Sequence, residues 1–215
     1  RRTENEDRFF VDNRSKIYIV ADGMGGVEGG EVAAQLVVNE LPKFIKLALK
    51  EFSDISSNAF QVFLQEKINA LNDLVFRQGI ETGLNGMGST VVGAILKKDQ
   101  ALIFHVGDSR CYKWNAQGLE LITNDHSCPT DSYQLTRVLG MEDVVHADLQ
   151  VIKLSSDDKV VLCSDGLNHM LEDKQILEAA EESEKPNKVC QNLVNAANHA
   201  GGDDNITTIL VYPKE

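Results

Sequence analysis

Five acidic motifs, each beside a short apolar run, constrain this chain more than any other feature of its sequence. The motifs are Asn5-Glu6-Asp7, Asp22-Gly23-Met24-Gly25-Gly26, Gly107-Asp108-Ser109-Arg110, Ser164-Asp165-Gly166 and Asp203-Asp204-Asn205. The apolar runs beside them resemble β-strands. Because the end of one antiparallel strand lies beside the start of the next, acids placed in this way can gather at one rim of a sheet. The pattern therefore predicts a carboxylate cage for hard divalent cations.

Each motif taken alone has a simpler interpretation, since Asp next to Gly at a strand end most often forms a turn. Five such motifs are harder to explain in this way, because carboxylates that converged without a cation would repel one another. The glycines between residues 25 and 30 do not match an ATP-binding P-loop, since no Lys-Ser or Lys-Thr pair follows them.

Length and charge narrow the class of protein. The chain has 215 residues, 42% of them hydrophobic, which predicts a single domain over residues 1–215. The formal net charge of −12 argues against nucleic acid as a partner, because phosphate backbones attract Lys and Arg. No apolar stretch approaches the roughly 20 residues that cross a bilayer, so we expect no membrane span.

The four cysteines include no Cys-x-x-Cys pair, which argues against a structural zinc site. Free thiols fit a reducing compartment, and we expect a cytoplasmic protein. The chain begins at Arg1 and not at Met, so we expect some N-terminal sequence to be missing. For the oligomeric state, a monomer is the expectation.

The hydrophobic pattern alternates between strands and helices. It predicts a hairpin over residues 9–20, helices over 30–50 and from 57 onward, and short strands at 90–96, 101–106, 111–114 and 119–122. After an irregular stretch it predicts strands at 149–154 and 160–163, helices at 171–182 and 187–199, and a closing strand at 205–212. Strands that lie far apart in sequence, with helices between them, predict a layered α+β domain.

Eight segments of the chain resemble, in order, the motifs of the metal-dependent protein serine/threonine phosphatases of type 2C, the PPM family. They are Arg2-Thr-Glu-Asn-Glu-Asp7, Val20-Ala-Asp-Gly-Met-Gly-Gly26, Gly88-Ser-Thr90, His105-Val-Gly-Asp-Ser-Arg110, Asp125-His-Ser127, Leu135-Thr-Arg-Val-Leu-Gly140, Cys163-Ser-Asp-Gly-Leu167 and Gly202-Asp-Asp-Asn-Ile206. Met24 after Asp-Gly is similar to the bacterial branch. The resemblance implies a four-layer α-β-β-α sandwich, in which two antiparallel sheets pack face to face with helices on both outer faces.

The activity that this resemblance implies is hydrolysis of phosphoserine and phosphothreonine in proteins, with Mg²⁺ or Mn²⁺ as cofactor. Two such ions about 3.5 to 4 Å apart stabilise the attacking and leaving oxygens and lower the pKa of a bridging water. That water would attack phosphorus directly, without a phosphoenzyme. The expected partners are phosphoproteins, including a bacterial serine/threonine kinase or its substrates.

Residue by residue, the resemblance implies that Asp22 bridges both ions. Glu6 and the carbonyl group of Gly23 would serve one ion, whereas Asp165 and Asp204 would serve the other. Asp22 and Asp165 are therefore also candidate catalytic residues.

Three further roles follow from the same resemblance. Asp7 would orient metal-bound water from behind the ligands, and Asp108 would be a ligand of a third, weaker metal site. Arg2 would be a catalytic residue that grips the substrate phosphate with its planar fork. Apart from the resemblance, Arg110 is a candidate to face the site, but we favour an ion pair inside the scaffold.

His169 stands where relatives often have Asp, which puts the third metal site in doubt. It is a candidate for an unusual ligand or acid, but we favour a histidine at the surface or behind the ligands. His126 is expected to be structural. The segment 127–148 is shorter than the flap of many bacterial relatives, so we expect a more open cleft and altered substrate selection.

Two alternative functions remain open at this point. A catalytically inactive relative would bind phosphoproteins as a regulatory module, but it would have no chemical need to retain all of Glu6, Asp22, Asp165 and Asp204. A metal-dependent hydrolase of small phosphate esters is separated poorly from a protein phosphatase by sequence.

Overall fold

The computed structural model describes residues 4–141 and 144–213, without the side chains of residues 26–28 and 132–133. The helices in that part of the chain are α1 (Gly26–Glu51), α2 (Asn58–Thr82), α3 (Asp165–Asn168), α4 (Asp173–Glu181) and α5 (Pro186–Ala200). The strands are β1 (Arg8–Asp12), β2 (Ile17–Ala21), β3 (Gly23–Met24), β4 (Gly88–Ser89), β5 (Val91–Lys97), β6 (Gln100–Val106), β7 (Arg110–Asn115), β8 (Gly118–Leu121), β9 (Ser127–Cys128), β10 (Asp131–Leu135), β11 (Asp148–Lys153), β12 (Lys159–Cys163) and β13 (Thr208–Val211).

Two antiparallel sheets form the centre of the fold. The first contains five strands in the order β1-β2-β5-β6-β11, and the second contains four in the order β13-β12-β7-β8. Two small pairs accompany them, β3 with β4 and β9 with β10. Every described strand pairing is antiparallel, which confirms the two antiparallel sheets that the family resemblance implies.

Three separate clusters of buried apolar side chains set the order of the layers. Successive residues of a strand point to opposite faces of its sheet, so Ile19 packs with Leu41 of α1, whereas Val20 packs with Leu162 of the second sheet. On the far face of the second sheet, Val161 packs with α5. The layers therefore run helix, sheet, sheet, helix.

The long helix α2 begins directly after Ser57, as predicted, and both of its ends are capped. The side chain of Ser57 caps it by accepting a hydrogen bond from the backbone N–H of Phe60, and Gly83 ends it in the left-handed conformation at a φ of 77°. Its buried apolar face carries side chains at helical spacing. They are Phe60, Leu64, Ile68, Leu71 and Val75.

Three features differ most from the sequence prediction. Helix α1 begins at Gly26 and not near residue 30, because the tight packing of Gly29 and Gly30 against neighbouring segments outweighs their low helix propensity. The closing strand begins at Thr208 and not at residue 205, since the preceding residues form a loop at the candidate site. The stretch predicted to be irregular contains the hairpin β9–β10.

Within residues 4–141 and 144–213, the helices are too short or too polar for any of them to traverse a lipid bilayer.

Candidate active site

Four aspartates from distant parts of the chain meet at one rim of the two sheets. Asp7 precedes β1, Asp22 follows β2, Asp108 lies between β6 and β7, and Asp165 begins α3 directly after β12. Desolvation raises the pKa of Asp22 well above its ordinary value, and the charges of the other three raise it further. The strand-end pattern thus brings these four carboxylates close enough to interact.

Asp7 is held by a hydroxyl group from the far end of the chain. Ser164 Oγ donates a hydrogen bond of 2.7 Å to Asp7 Oδ2 and also accepts one of 3.0 Å from the backbone N–H of Thr207. The other carboxylate oxygen, Asp7 Oδ1, is buried and has no hydrogen-bond partner in the described part of the chain. Desolvation is the main reason that the pKa of Asp7 is raised.

The backbone of Asp22 is fixed by Thr90. The N–H of Asp22 donates to Thr90 Oγ1 at 3.1 Å, and the N–H of Thr90 donates to the carbonyl oxygen of Asp22 at 2.8 Å. Thr90 Oγ1 is in turn 2.8 Å from Ser109 Oγ. Because both hydroxyl groups are buried, they position the segments that carry Asp22 and Asp108.

Glu6 is anchored by the last of the five acidic motifs. Its backbone N–H donates to Asn205 Oδ1 at 2.9 Å, and Asn205 Nδ2 donates to the carbonyl oxygen of Glu4 at 3.1 Å. A Cβ atom on Gly30 would lie 2.7 Å from Glu6 Oε1, so the Glu6 carboxylate packs against the first turns of α1. The first and last motifs are therefore joined although almost the whole chain separates them.

The loop of Asp204 lies against the beginning of α3. The backbone N–H of Asn205 donates to Asp204 Oδ1 at 2.8 Å and so braces this carboxylate. A Cβ atom on Gly166 would lie only 2.0 Å from the carbonyl oxygen of Asn205. This close approach requires glycine and places the Asp204 loop beside Asp165.

His169 faces the acids as part of a mixed cluster. Ligand atoms of Asp108, Asp165 and His169 all lie within 4.8 Å of one another, and His169 Nδ1 is 3.2 Å from Asp165 Oδ2. The hydrogen bond with Asp165 is the main cause that raises the pKa of His169. Desolvation, followed by the charge of Asp165, raises the pKa of Asp108 to about 7.

For two of the predicted site residues, Gly23 and Arg2, the predicted role is not tested by the structure. Gly23 pairs with Ser89, and a Cβ atom on Gly23 would lie 2.0 Å from the carbonyl oxygen of Gly30, so the position admits only glycine. Its carbonyl group as a metal ligand stays a prediction. Arg2 lies outside the described residues.

Arg110 forms the ion pair that the sequence analysis expected. Its Nε donates to Asp125 Oδ1 at 2.9 Å and its Nη2 donates to Asp125 Oδ2 at 2.7 Å. Its Nη1 also donates to the hydroxyl group of Tyr112 at 3.1 Å. The guanidinium group is thus engaged by the scaffold.

His126 holds the turn that precedes Asp108. Its backbone N–H donates to the carbonyl oxygen of Gly107 at 2.9 Å, and its Nδ1 accepts from the N–H of Gly107 at 3.1 Å. Gly107 adopts a φ of 106°, which favours glycine. The structural role expected for His126 is therefore confirmed.

Contributions of Ser164, Thr90 and Ser109 to the site were not predicted from the sequence, and neither was the bond between Asn205 and Glu6. The signal available for the three hydroxyl residues was their position within quoted motifs, directly beside an acid or a strand end. The pairing of Asn205 with Glu6 had no local signal, because it depends on how the two chain ends are brought together.

The donor set fits hard divalent cations. Glu6, Asp7 and Asp22 offer only oxygen atoms, which Mg²⁺ and Mn²⁺ prefer. Asp7 Oδ1 is buried without a hydrogen-bond partner, and the charges of neighbouring aspartates raise the pKa values of Asp7 and Asp22. A cation at this rim would give this oxygen a partner and would offset the repulsion among the carboxylates. His169 adds one nitrogen donor, which Mn²⁺ accepts more readily than Mg²⁺.

A rim of carboxylates on two packed antiparallel sheets fits a metal-dependent enzyme. The family model described as Protein phosphatase 2C matches residues 1–210. The chain therefore belongs to the protein phosphatase 2C family, and it is a hydrolase that acts as a protein phosphatase. This agrees with the resemblance read from the eight motifs.

Individual relatives agree with the family model. The serine/threonine phosphatase stp of Listeria monocytogenes serotype 4b is 33% identical over 232 residues, which cover 98% of this chain and 90% of the relative. The structure of the S. agalactiae serine/threonine phosphatase is 30% identical and has a TM-score of 0.88. The match covers 99% of this chain and 94% of that chain. The structure of the catalytic domain of the serine/threonine protein phosphatase PstP in complex with two manganese ions is 29% identical and has a TM-score of 0.81. The match covers 97% of this chain and 91% of that chain.

The alignment with the Listeria protein runs over 232 positions, more than the 215 residues of this chain. The relative therefore carries residues that this chain lacks. The shortened segment 127–148 stays a prediction.

Proposed function

We propose that this protein is a Mg²⁺- or Mn²⁺-dependent phosphatase of phosphoserine and phosphothreonine residues in other proteins. The observation that carries the proposal is the meeting of Asp7, Asp22, Asp108 and Asp165 at one rim, where each shifts the pKa of another. The names of the Listeria and S. agalactiae relatives support the substrate class. The two manganese ions of the PstP structure support the cofactor.

The carboxylates would divide between two ions at the rim. Asp22 would hold both, Glu6 and the carbonyl group of Gly23 would hold the first, and Asp165 and Asp204 would hold the second. When bound, such ions polarise the phosphate oxygens and lower the pKa of a coordinated water. The third position would involve Asp108 beside His169.

The chain's own residues would orient the reactants. Ser164 keeps one oxygen of Asp7 engaged, which leaves Asp7 Oδ1 to accept a hydrogen bond from the attacking water. Arg2 would bind the substrate phosphate with two parallel N–H donors and hold it in line with that water. The hydrogen bonds between Asp22 and Thr90 would hold the Asp22 carboxylate in place as charge develops.

Several further expectations are part of the same proposal. Residues 1–215 would form one catalytic domain that acts as a monomer in the cytoplasm. Its partners would be a bacterial serine/threonine kinase or the substrates of that kinase, and nucleic acid would not be among them. The acidic net charge of −12 supports the last point.

A substrate comparison tests the proposal. We expect phosphothreonine and phosphoserine peptides to release phosphate with Mn²⁺ at a kcat/KM at least about tenfold above that of phosphotyrosine peptides and of small phosphate esters such as glycerol phosphate. Higher turnover of the small esters would contradict a protein substrate. Well-folded, metal-loaded protein without turnover of any of them would favour the phosphoprotein-binding module.

Arg2 can be tested in the same assay. Arg2→Ala should raise KM for phosphopeptides, and Arg2→Lys should restore only part of the loss, because an ammonium group cannot form two parallel bonds to phosphate. Arg14→Ala is the matched control, since Arg14 lies in the turn between β1 and β2, away from the acids. Equal effects of the Arg2 and Arg14 substitutions would contradict the proposed role of Arg2.

A further inference from the structure

His126 has hydrogen-bonding groups on both sides of its ring. The side chain is buried, and its Nδ1 lies 3.1 Å from the backbone nitrogen of Gly107. On the other side of the ring, Nε2 lies 3.4 Å from Asp148 Oδ2 and 3.1 Å from Arg137 Nη1. The ring therefore joins the turn at Gly107 to a charged pair at the end of the segment 127–148.

The position of the ring proton follows from these partners. Desolvation, followed by the charge of His105, lowers the pKa of His126, so at neutral pH the ring carries one N–H and one lone pair. A backbone N–H only donates, so the Nδ1 atom that faces Gly107 must hold the lone pair. The proton is then on Nε2, where Asp148 Oδ2 accepts it.

Arg137 does not need a lone pair on Nε2. Its Nη1 carries two hydrogens, and it donates to Asp148 Oδ1 at 2.8 Å and to the carbonyl oxygen of His146 at 3.3 Å. Nη1 and Nε2 approach each other because both donate to the same carboxylate. Arg137 therefore orients Asp148 by holding one oxygen, and the second oxygen is left to face His126.

The ring of His126 is also fixed in place. Its backbone N–H donates to the carbonyl oxygen of Gly107 at 2.9 Å, and its own carbonyl oxygen accepts from the N–H of Thr136 at 2.7 Å. The ring stacks on that of His105, with centroids 4.4 Å apart. Because the ring is held in this way, its tautomer can change more easily than its position.

The turn that His126 holds lies against the segment that fixes Asp22. A Cβ atom on Gly107 would lie 2.6 Å from Thr90 Cγ2, and Thr90 Oγ1 accepts from the backbone N–H of Asp22. Gly107 also immediately precedes Asp108. The bond from Gly107 to His126 thus helps to set how Asp108 is presented to the candidate third metal site.

We propose that Asp148 is a positioning residue of the phosphatase, which holds His126 in the tautomer whose Nδ1 lone pair fixes Gly107 and thereby positions Asp108 for a metal ion. The inference rests on the proposed function and deepens it, because it assigns control of the third metal position to a residue outside the rim. Asp148 itself would contact neither the substrate nor the ion.

The substitution Asp148→Asn separates this role from simple packing. Arg137 only donates, so it would claim the amide oxygen of the asparagine, and the NH2 group would then face His126 Nε2. A donor at Nε2 favours the other tautomer, whose Nδ1–H would oppose the N–H of Gly107. We therefore expect Asp148→Asn to harm the site at least as much as Asp148→Ala, although asparagine has nearly the shape of aspartate.

The test reads the tautomer directly, by long-range ¹H–¹⁵N NMR of protein labelled at histidine, together with the exchange rate of the Gly107 amide proton. Wild type should carry the His126 proton on Nε2 and exchange the Gly107 proton slowly. In Asp148→Asn the ring proton should move to Nδ1, and exchange at Gly107 should become several-fold faster, because that N–H loses its acceptor.

Turnover of a phosphothreonine peptide at increasing Mn²⁺ gives a second readout. Asp148→Asn should raise the Mn²⁺ concentration for half-maximal turnover about tenfold, with turnover at saturating Mn²⁺ within about twofold of wild type. Asp99→Asn is the matched control, since it makes the same charge change at an exposed residue in the turn between β5 and β6, at the other end of β6 from Gly107. It should behave as wild type in every measurement.

Three results would overturn the positioning role. One is a proton on His126 Nδ1 in wild type, a measurement that requires no variant to fold. Another is Asp148→Asn with the wild-type tautomer and unchanged exchange at Gly107. A third is a smaller effect on Mn²⁺ dependence in Asp148→Asn than in Asp148→Ala, which would reduce Asp148 to a packing role. Failure of the proposed function would look different, since wild type would then release no phosphate at any Mn²⁺ concentration while NMR still reported the tautomer.

Discussion

Ser164 donates a hydrogen bond of 2.7 Å to Asp7, although 157 residues separate the two in sequence. The same hydroxyl oxygen accepts the N–H of Thr207, so one buried side chain joins the start of β1, the end of β12 and the approach to β13. Because these three segments carry Asp7, Asp165 and Asp204, the bond fixes acids from both sheets relative to one another.

We predict that Ser164→Ala lowers the free energy of unfolding by about 1 to 3 kcal/mol, since it leaves buried polar groups without their partner. It should also weaken Mn²⁺ binding about tenfold, because Asp7 loses the bond that orients it. Chemical denaturation and calorimetric titration with Mn²⁺ measure the two effects. Ser156→Ala is the control, since Ser156 is exposed and bonds the exposed Asp157. Unchanged Mn²⁺ affinity in Ser164→Ala would contradict the orienting role.

Gly166→Ala should disrupt the contact between α3 and the Asp204 loop. The added Cβ atom would lie 2.0 Å from the carbonyl oxygen of Asn205, so backbone must move. We expect lower stability by about 1 to 3 kcal/mol and a loss of metal affinity. Gly83→Ala provides the comparison, because Gly83 has a φ of 77° but no atom within 4 Å of the added Cβ. The Gly83→Ala variant should lose stability and keep its metal affinity. If Gly166→Ala also keeps its metal affinity, the contact between α3 and the Asp204 loop does not support metal binding.

The metal-free protein should become less stable as the pH rises. The pKa of Asp108 is about 7 in the folded protein, above its value of about 4 in an unfolded chain. Between these values the folded state holds a proton that the unfolded state releases, so stability falls as pH rises through this window. In chelator, Asp108→Asn should therefore flatten the decline in melting temperature between pH 5 and pH 8. An equal slope in wild type and variant would show that Asp108 does not titrate in this way.

Arg110→Lys should destabilise the protein by about 1 to 3 kcal/mol, because a lysine cannot reproduce the two bonds to Asp125. Since Arg110 is engaged by the scaffold, kcat of the folded variant should stay within about twofold of wild type. Urea denaturation gives the first quantity and steady-state kinetics the second. A large fall in kcat without a change in stability would place Arg110 in the catalytic machinery instead.

The spacing of apolar residues along the chain predicted most of the helices and strands. Apolar residues at helical spacing predicted α2, and short apolar runs predicted most strands of the two central sheets to within a few residues. The positions of Asp22, Asp108 and Asp165 at strand ends predicted their meeting, because strand direction alone sets which ends share a rim.

Other features depend on contacts that no local pattern encodes. The start of α1 at Gly26 reflects the packing of Gly29 and Gly30, and helix propensity alone argues against it. The bond between Glu6 and Asn205 joins residues 199 positions apart. The order of the described strands within the two sheets could not be read from any single strand.

The most direct test of the central claim is phosphate release from a phosphothreonine peptide with Mn²⁺, with Mg²⁺ and with EDTA, for wild type, Asp22→Asn and Asp165→Asn, alongside Mn²⁺ binding by calorimetry. The account predicts turnover that EDTA abolishes, and a loss of about a hundredfold or more in both folded variants, together with weaker Mn²⁺ binding. Turnover that persists in EDTA, or folded variants that keep wild-type turnover and Mn²⁺ affinity, would contradict it.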